Sequence, residues 1–321
     1  MARQEIPTQT VEILGVSVSY LEVGTGHPLL FLHGAPGCKE AWVPLALSLS
    51  AVGFRCILID RPGYGATPAI PTQSSTNPLE SDPGSAQFEL LSLFIEKVVG
   101  QAAGIIAYSI GCFTALRLAA RKPECVAVLG LIAPYVYPKD ASVKHSYLPA
   151  VSQMPILGSL AKLIMPYFWT RTLQAHIESA FYPLKLEPEK AQRAQERYSG
   201  FANLVSVHLD INDFLANQEE LHEFPGRTGT KIQVPAILVG ASKDAICDGQ
   251  AEVNKAAATL ANPATAMIGN GGHALPYTHV PRLMEILPMH LKKAFSEREQ
   301  FSGNDALSPV ANPLQHNKSQ V

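Results

Sequence analysis

The stretch Ile105-Ile106-Ala107-Tyr108-Ser109-Ile110-Gly111-Cys112 decides the reading of this chain. A short apolar run ends in a serine with a small residue two positions to either side, and a segment with helical spacing follows at once. Strand, sharp turn, helix is how a nucleophile elbow reads. The serine of such a turn has a strained backbone, so its neighbours at minus two and plus two must be small to avoid a clash. Here they are Ala107 and Gly111. The usual form has glycine at both places, and the alanine is a departure that remains small enough to fit. The helix that begins there turns free N–H groups toward incoming negative charge.

Outward from the elbow, the chain alternates strand-like and helix-like segments. Residues 9–23 read as one or two strands with a turn at Gly15. Pro28–Leu32 reads as a buried strand ended by His33-Gly34-Ala35-Pro36-Gly37. Residues 39–51 have helical spacing. Phe54–Ile59 is a second buried strand, closed by Asp60-Arg61-Pro62-Gly63-Tyr64-Gly65. Residues 66–85 are rich in Pro, Ser, Thr and Gly and read as a long loop, and 86–99 as a helix. The elbow helix runs to about Arg121, and Cys125–Ile132 is another strand. Strands that are apolar throughout belong to a mainly parallel sheet covered on both faces by helices.

The alternation stops near Pro134. Residues 135–228 show helical stretches, no clear strand, and the aromatics Tyr135, Tyr137, Tyr147, Tyr167, Phe168, Trp169, Phe181 and Tyr182, which as a group suggest an apolar chamber. Alternation resumes with a strand at Val234–Val239, a helix over 249–261, a strand at Ala264–Ile268 and a helix over 279–297. Residues 302–321 are polar and read as a disordered tail. An insertion at this place would sit over the carboxyl ends of the strands, where open α/β sheets bind ligands.

Composition narrows the function classes. The 321 residues are 47% hydrophobic and 16% charged, which suits a globular protein with a large core. A net charge of −2 gives no electrostatic reason to expect nucleic acid or an anionic membrane as partner. The five cysteines (Cys38, Cys56, Cys112, Cys125 and Cys247) form no C-x-x-C pair, so neither a disulfide framework nor a zinc cluster is indicated. The first residues lack the apolar region of a signal peptide, and no run is long enough to span a bilayer. A cytoplasmic protein is the default expectation. No G-x-G-x-x-G follows the first strand and no G-x-x-x-x-G-K-[ST] occurs, so a nucleotide-binding reading is rejected.

A serine hydroxyl is a poor nucleophile near neutral pH. It needs a base within hydrogen-bond reach, and the base needs an orienting acid. Gly240-Ala241-Ser242-Lys243-Asp244 follows one late strand and Gly269-Asn270-Gly271-Gly272-His273 follows the other. The candidate triad is therefore Ser109, Asp244 and His273, in that chain order. Asp248 lies close enough in sequence to leave the acid open between the two. The turn after the first buried strand can aim a backbone N–H at a developing oxyanion, which nominates the amides of Ala35 and Ile110. His33 and Asp60 are expected to hold their own loops together, and Arg61 to be structural.

With these residues in view, the chain resembles the α/β-hydrolase-fold superfamily of lipases, esterases and epoxide hydrolases. The matching residues are 33–37, 60–65, 107–111, Asp244 and Gly272-His273, and the resemblance runs from about residue 10 to 297. It implies a hydrolase core at 1–134 and 229–300 with a mostly parallel sheet, and a helical cap over 135–228 inserted before the last two strands. It also implies a serine hydrolase acting on an ester or related acyl bond of a medium-sized hydrophobic molecule, with no cofactor or metal. Epoxide hydrolases and haloalkane dehalogenases of this superfamily carry Asp at the nucleophile position, and Ser109 argues against both chemistries. Relatives with the same triad perform acyl transfer, carbon–carbon bond cleavage, lyase or cofactor-free chemistry. A non-catalytic ligand-binding protein on the same scaffold is a further alternative, and a homodimer is left open.

Overall fold

The computed structural model describes residues 6–70, 83–136, 146–228 and 231–305. Eight strands form one sheet: β1 (Thr8–Ile13), β2 (Val16–Val23), β3 (His27–Leu32), β4 (Phe54–Ile59), β5 (Ala103–Tyr108), β6 (Val126–Ile132), β7 (Ala236–Ala241) and β8 (Pro263–Ile268). Their spatial order is β1-β2-β4-β3-β5-β6-β7-β8. β1 and β2 form an antiparallel hairpin, β2 is antiparallel to β4, and every later pairing is parallel. Leu14 and Gly15 both take positive φ at the hairpin turn, where the sequence places Gly15 for that reason.

The helices of the sheet domain are α1 (Val43–Ser50), α2 (Pro83–Phe94, extended by a π turn to Val99) and α3 (Gly111–Arg121). Between β6 and β7 run α4 (Leu148–Ser152), α5 (Pro155–Phe181), α6 (Pro188–Tyr198) and α7 (Phe201–Thr228). Then come α8 (Gly249–Ala258), α9 (Leu275–Thr278) and α10 (Val280–Asp305). No described helix is long and apolar enough to cross a membrane. Helix α10 continues to Asp305, past the expected end at 297, and residues 306–321 of the expected tail lie outside the described residues. Of the expected loop over 66–85, residues 71–82 also lie outside, and α2 already begins at Pro83.

The uniformly apolar strands have a direct cause. Alternate side chains of each strand enter opposite layers. Leu30, Leu32, Ile105, Ala107, Leu129 and Leu131 pack with Phe94, Leu116 and Val253 of α2, α3 and α8. Leu29, Phe31, Ile106, Tyr108 and Val128 pack with Leu45, Leu49, Leu287 and Leu291 of α1 and α10. Both faces of β5, β6 and β7 are thus buried at every position, and these strands carry no charged or amide side chain. Trp169, Leu173, Ile177 and Leu204 form a separate, smaller cluster among the helices between β6 and β7. Helix α7 belongs to both, since its Phe214 and Leu221 pack into the first layer.

β3 has β4 on one side and β5 on the other, so the chain turns opposite ways after β3 and after β4. The loops at the carboxyl ends of β3 and β5 diverge there and leave a crevice. Ser109 stands at its edge.

Candidate active site

Ser109 follows β5 directly and takes φ +55°, a conformation that a non-glycine residue adopts only under constraint. The constraint is visible. Its N–H donates to the Ile132 carbonyl at 3.1 Å, and its carbonyl accepts from the N–H groups of Cys112 (2.9 Å) and Tyr135 (3.2 Å). Two glycines permit the packing around it. A Cβ on Gly111 would lie 2.8 Å from the carbonyl oxygens of Leu32 and His33, and one on Gly34 would lie 3.0 Å from the Ser109 Cβ. Ala107 is fully buried inside β5, and the sheet accommodates its methyl.

His273 lies five residues beyond β8, and Asp244 three beyond β7. The Ser109 Oγ is 2.8 Å from the His273 Nε2, and the His273 Nδ1 is 2.6 Å from the Asp244 Oδ2. An ionised carboxylate only accepts, so Nδ1 carries the proton and Nε2 presents a lone pair to the serine hydroxyl. Asp244 also accepts from the N–H groups of Ile246 (2.8 Å) and Cys247 (3.0 Å). Burial raises its pKa, but the hydrogen bond and charge of His273 with those two amides outweigh burial and hold the carboxyl below its ordinary value. Asp248 has a different place. It caps α8, accepting from the Ala251 N–H at 3.1 Å. Asp244, and not Asp248, is therefore the carboxylate that meets the imidazole.

The loop of His273 is built for close approach. A Cβ on Gly272 would collide with the carbonyl oxygen of Tyr182, and the Ala274 N–H donates to the Ala180 carbonyl at 2.8 Å. The end of α5 therefore rests against the histidine loop.

Ile110 follows the serine as the capping residue of α3, and Ala35 lines the same cavity as Ser109. Neither amide has a hydrogen-bond partner among the described residues. The loop that carries Ala35 is fixed from below. His33 is buried, its Nδ1 donates to the Gly34 carbonyl (2.7 Å), and its Nε2 accepts from the Arg61 N–H (3.0 Å). Both ring nitrogens are occupied away from Ser109, and burial together with Arg61 pushes the ring well below its ordinary pKa. Asp60 accepts from the Lys39 N–H (2.8 Å), the Lys39 Nζ (2.6 Å) and the Ala66 N–H (2.9 Å), which is the loop-holding role expected of it.

Three features of the site were not visible in sequence. Asp210 of α7 receives the Arg61 guanidinium on both oxygens (3.1 and 2.7 Å) and the Tyr64 hydroxyl (2.7 Å), while Arg61 also donates to the Gly34 carbonyl (3.2 Å). Asp213, one turn on, pairs with Arg117 of α3 at 3.0 Å. His176 of α5 lines the same cavity as Ser109 and His273, and burial with the neighbouring His273 pushes its pKa down to about 4. No local motif marks any of them, because each acts on a partner tens of residues or more away.

The cavity above Ser109 has a volume of about 530 Å³. Its aromatic walls differ from those suggested by the 135–182 segment. Of the aromatics named there only Phe181 lines it, and Tyr108, Tyr198 and Tyr277 supply the rest. Trp169 is buried in the small cluster, Tyr135 packs against Phe214, and Tyr147, Tyr167, Phe168 and Tyr182 are exposed. Tyr137 lies outside the described residues. Asp244, Cys247 and His273 bring three ligand-type atoms within 4.8 Å. The imidazole nitrogen facing that group is already committed to Asp244, and burial keeps the Cys247 thiol protonated. The donor set is a poor one for a metal ion.

Comparison with known proteins follows the same lines. Epoxide hydrolase 3 of Siraitia grosvenorii is 30% identical over 136 residues, which is 42% of this chain and 40% of that protein. Epoxide hydrolase 2 of the same organism is 36% identical over 72 residues, 22% of this chain and 23% of that protein. The chain thus spans less than half the length of these relatives. A 2-hydroxy-6-oxononadienedioate/2-hydroxy-6-oxononatrienedioate hydrolase of Pseudomonas putida is 22% identical, over 83% of this chain and 88% of that one. Among solved structures, a putative epoxide hydrolase from Pseudomonas aeruginosa superposes with a TM-score of 0.70 at 17% identity, covering 92% of this chain and 98% of that one. A thermophilic esterase from Thermogutta terrifontis gives 0.69 at 18%, covering 89% and 99%. The family model described as alpha/beta hydrolase family matches residues 29–284, from β3 through the His273 loop into α10. With the sheet order and the strained serine at the end of β5, that match establishes that this chain belongs to the alpha/beta hydrolase family.

Proposed function

We propose that the protein is a serine hydrolase that cleaves an ester or related acyl bond through an acyl-enzyme. The observation that carries this reading is the unbroken hydrogen-bonded chain from Ser109 Oγ through His273 to Asp244. His273 Nε2 takes the hydroxyl proton as Ser109 attacks the carbonyl carbon. Asp244 holds the tautomer and stabilises the imidazolium. The Ala35 and Ile110 amides receive the oxyanion. His273 then returns its proton to the leaving group, and in the second half-reaction it activates the water that releases the acyl group. Epoxide hydrolases are among the relatives, but position 109 offers a hydroxyl and no carboxylate to open an epoxide as an alkyl ester.

In this reading residues 135–228 act as a cap over the site. The cavity of about 530 Å³ suits a medium-sized molecule, and Ile177, Phe181, Leu184 and Leu186 favour an apolar acyl or alcohol portion. A second reading rests on the rim, where Lys185, Lys190, Arg193 and Arg197 outnumber Glu40 and Glu187. It takes a substrate that carries a carboxylate, in line with the dienedioate in the name of the Pseudomonas putida relative. The experiment is labelling with a fluorophosphonate probe, followed by hydrolysis of p-nitrophenyl butyrate against the p-nitrophenyl monoester of glutarate. Covalent labelling of the wild type, absent in Ser109→Ala and strongly slowed in His273→Ala, is expected. Equal labelling of Ser109→Ala would end the proposal. Labelling without turnover of either ester would redirect it to acyl transfer, carbon–carbon cleavage or lyase chemistry.

A further inference from the structure

Helix α5 carries two opposite apolar sides, a buried one in its second half and an exposed one centred in its first. In the second half, one side (Trp169, Leu173, Ile177) is buried with Ala194 and Tyr198 of α6 and Leu204 of α7. The other presents Ile156, Leu157, Leu160, Leu163, Ile164, Tyr167 and Phe168, exposed by 43% to 82%. At about 100° per residue these seven fall within an arc of roughly 140°. An apolar helix stripe ordinarily faces a core or a partner. The exposed side chains together offer on the order of 800 Å², above the roughly 300–600 Å² of the largest apolar patch on an ordinary monomer and close to what each partner contributes to a standard protein interface.

Charge narrows the choice of occupant. From Gln153 to Ile177 there is no Asp or Glu, and the two cations are Lys162 and Arg171. Lys162 projects from the side opposite the apolar arc. Arg171 lies on the arc but a turn beyond its end. A two-fold interface sets the middle of a helix against the same residues of its copy, so a charge near the axis would meet its like. The middle of this arc, Leu160 to Ile164, carries none. A helix that lies on a lipid surface instead keeps a strongly charged face toward the headgroups. Away from the arc the first half of α5 offers a single cation, Lys162, and the whole chain carries a net charge of −2. Segments of this chain outside the described residues make poor covers. Residues 71–82 contain one large aliphatic, Leu79, 137–145 set Tyr137 and Val143 among Lys139, Asp140, Lys144 and His145, and 306–321 scatter Leu307, Val310, Leu314 and Val321 among Pro, Asn, Ser and Gln.

We infer that the exposed face of α5 is the seat of a second copy of this chain, packed antiparallel on the same helix across a two-fold axis near Leu163. The same helix continues to His176 and Ile177 in the cavity wall, so the dimer braces the wall through α5.

The test is light scattering of the full chain during gel filtration at micromolar concentration, with the double variant Ile156→Glu/Leu163→Glu beside it. Wild type is expected at twice 34.6 kDa and the variant at half the wild-type mass, with an unchanged circular dichroism spectrum, because both positions are exposed in the single copy. A monomeric wild type, or a variant that stays dimeric, overturns the inference. A monomeric wild type that floats with phosphatidylcholine/phosphatidylserine vesicles overturns it in favour of lipid.

Discussion

Asp210→Ala is the substitution whose effect can be worked out furthest. It removes both acceptors of the Arg61 guanidinium and the acceptor of the Tyr64 hydroxyl. Arg61 is 1% exposed, so water cannot replace the lost partner, and the acceptor left to its guanidinium is the backbone carbonyl of Gly34. Breaking a buried ion pair from one side costs about 3–5 kcal/mol. Stranding the hydroxyl adds about 1 kcal/mol, part of which overlaps. A loss of about 4 kcal/mol is a large share of the 5–15 kcal/mol that typically holds a domain together. At a urea slope of about 2–3 kcal/mol per molar, the unfolding midpoint falls by roughly 1.5 M. The double variant Asp210→Leu/Arg61→Met removes both charges and is expected to recover at least about 2 kcal/mol of that loss. Urea melts followed by circular dichroism decide the matter. A single-variant loss under about 1 kcal/mol, or a double variant no more stable than the single, refutes the reasoning. Because Arg61 also holds the Gly34 carbonyl beside Ala35, kcat on an accepted ester should fall more than KM rises.

Two further outcomes are expected. Gly272→Ala forces a methyl against the Tyr182 carbonyl, which is backbone and cannot swing aside. His273 is displaced, and fluorophosphonate labelling of Ser109 slows by about tenfold or more, the equivalent of about 1.4 kcal/mol on the barrier; unchanged labelling would show that the contact is not needed. His176 is neutral in the fold down to a pKa of about 4, whereas in the unfolded chain it takes up a proton below about 6.5. Its neutral burial therefore favours folding fully above pH 6.5 and ceases to as pH falls toward 4. Relative to His176→Phe, wild-type stability should drop by at least about 1 kcal/mol between pH 6.5 and 4.5, with partial exposure of the ring trimming the full linkage value. Parallel stability–pH curves for the two proteins would refute this.

Much of the sheet domain was legible because its signals are local. Buried parallel strands are short apolar runs, and Ser109, Asp244 and His273 each follow such a run within a few residues. Glycine at 34, 111 and 272 marks places where backbone meets backbone or side chain at van der Waals limits. Ala107 breaks the usual elbow pattern without harm, since its Cβ enters a layer already formed by alanine-sized and aliphatic side chains. The inserted helices were legible as helices and little more. Their aromatics do not show which face is inward, because α5 is apolar on both sides and the period that distinguishes core from surface is lost. Asp210 and His176 were missed for another reason. Their partners are 149 residues away in one case and an electrostatic neighbour across the cavity in the other.

The hydrogen bond from Ala274 to Ala180 has a mechanical consequence. It ties α5 to the strand-end loop on which His273 rides, and Asp210 and Asp213 bolt α7 to the sheet domain at the other end of the insertion. A lid that swung away as one body would drag the histidine out of line with the serine. Between these two ties, α6 is held to α5 by the Trp169 indole on the Tyr198 carbonyl and by Gln195 on the Thr170 carbonyl, and to the sheet domain by Arg197 against Glu40 and by Tyr198 against the Cys38 thiol. Under the proposed function, substrate is expected to enter by displacing α6 sideways while the proton relay stays aligned, and loosening Arg197 is expected to change the rate of entry without touching the chemistry.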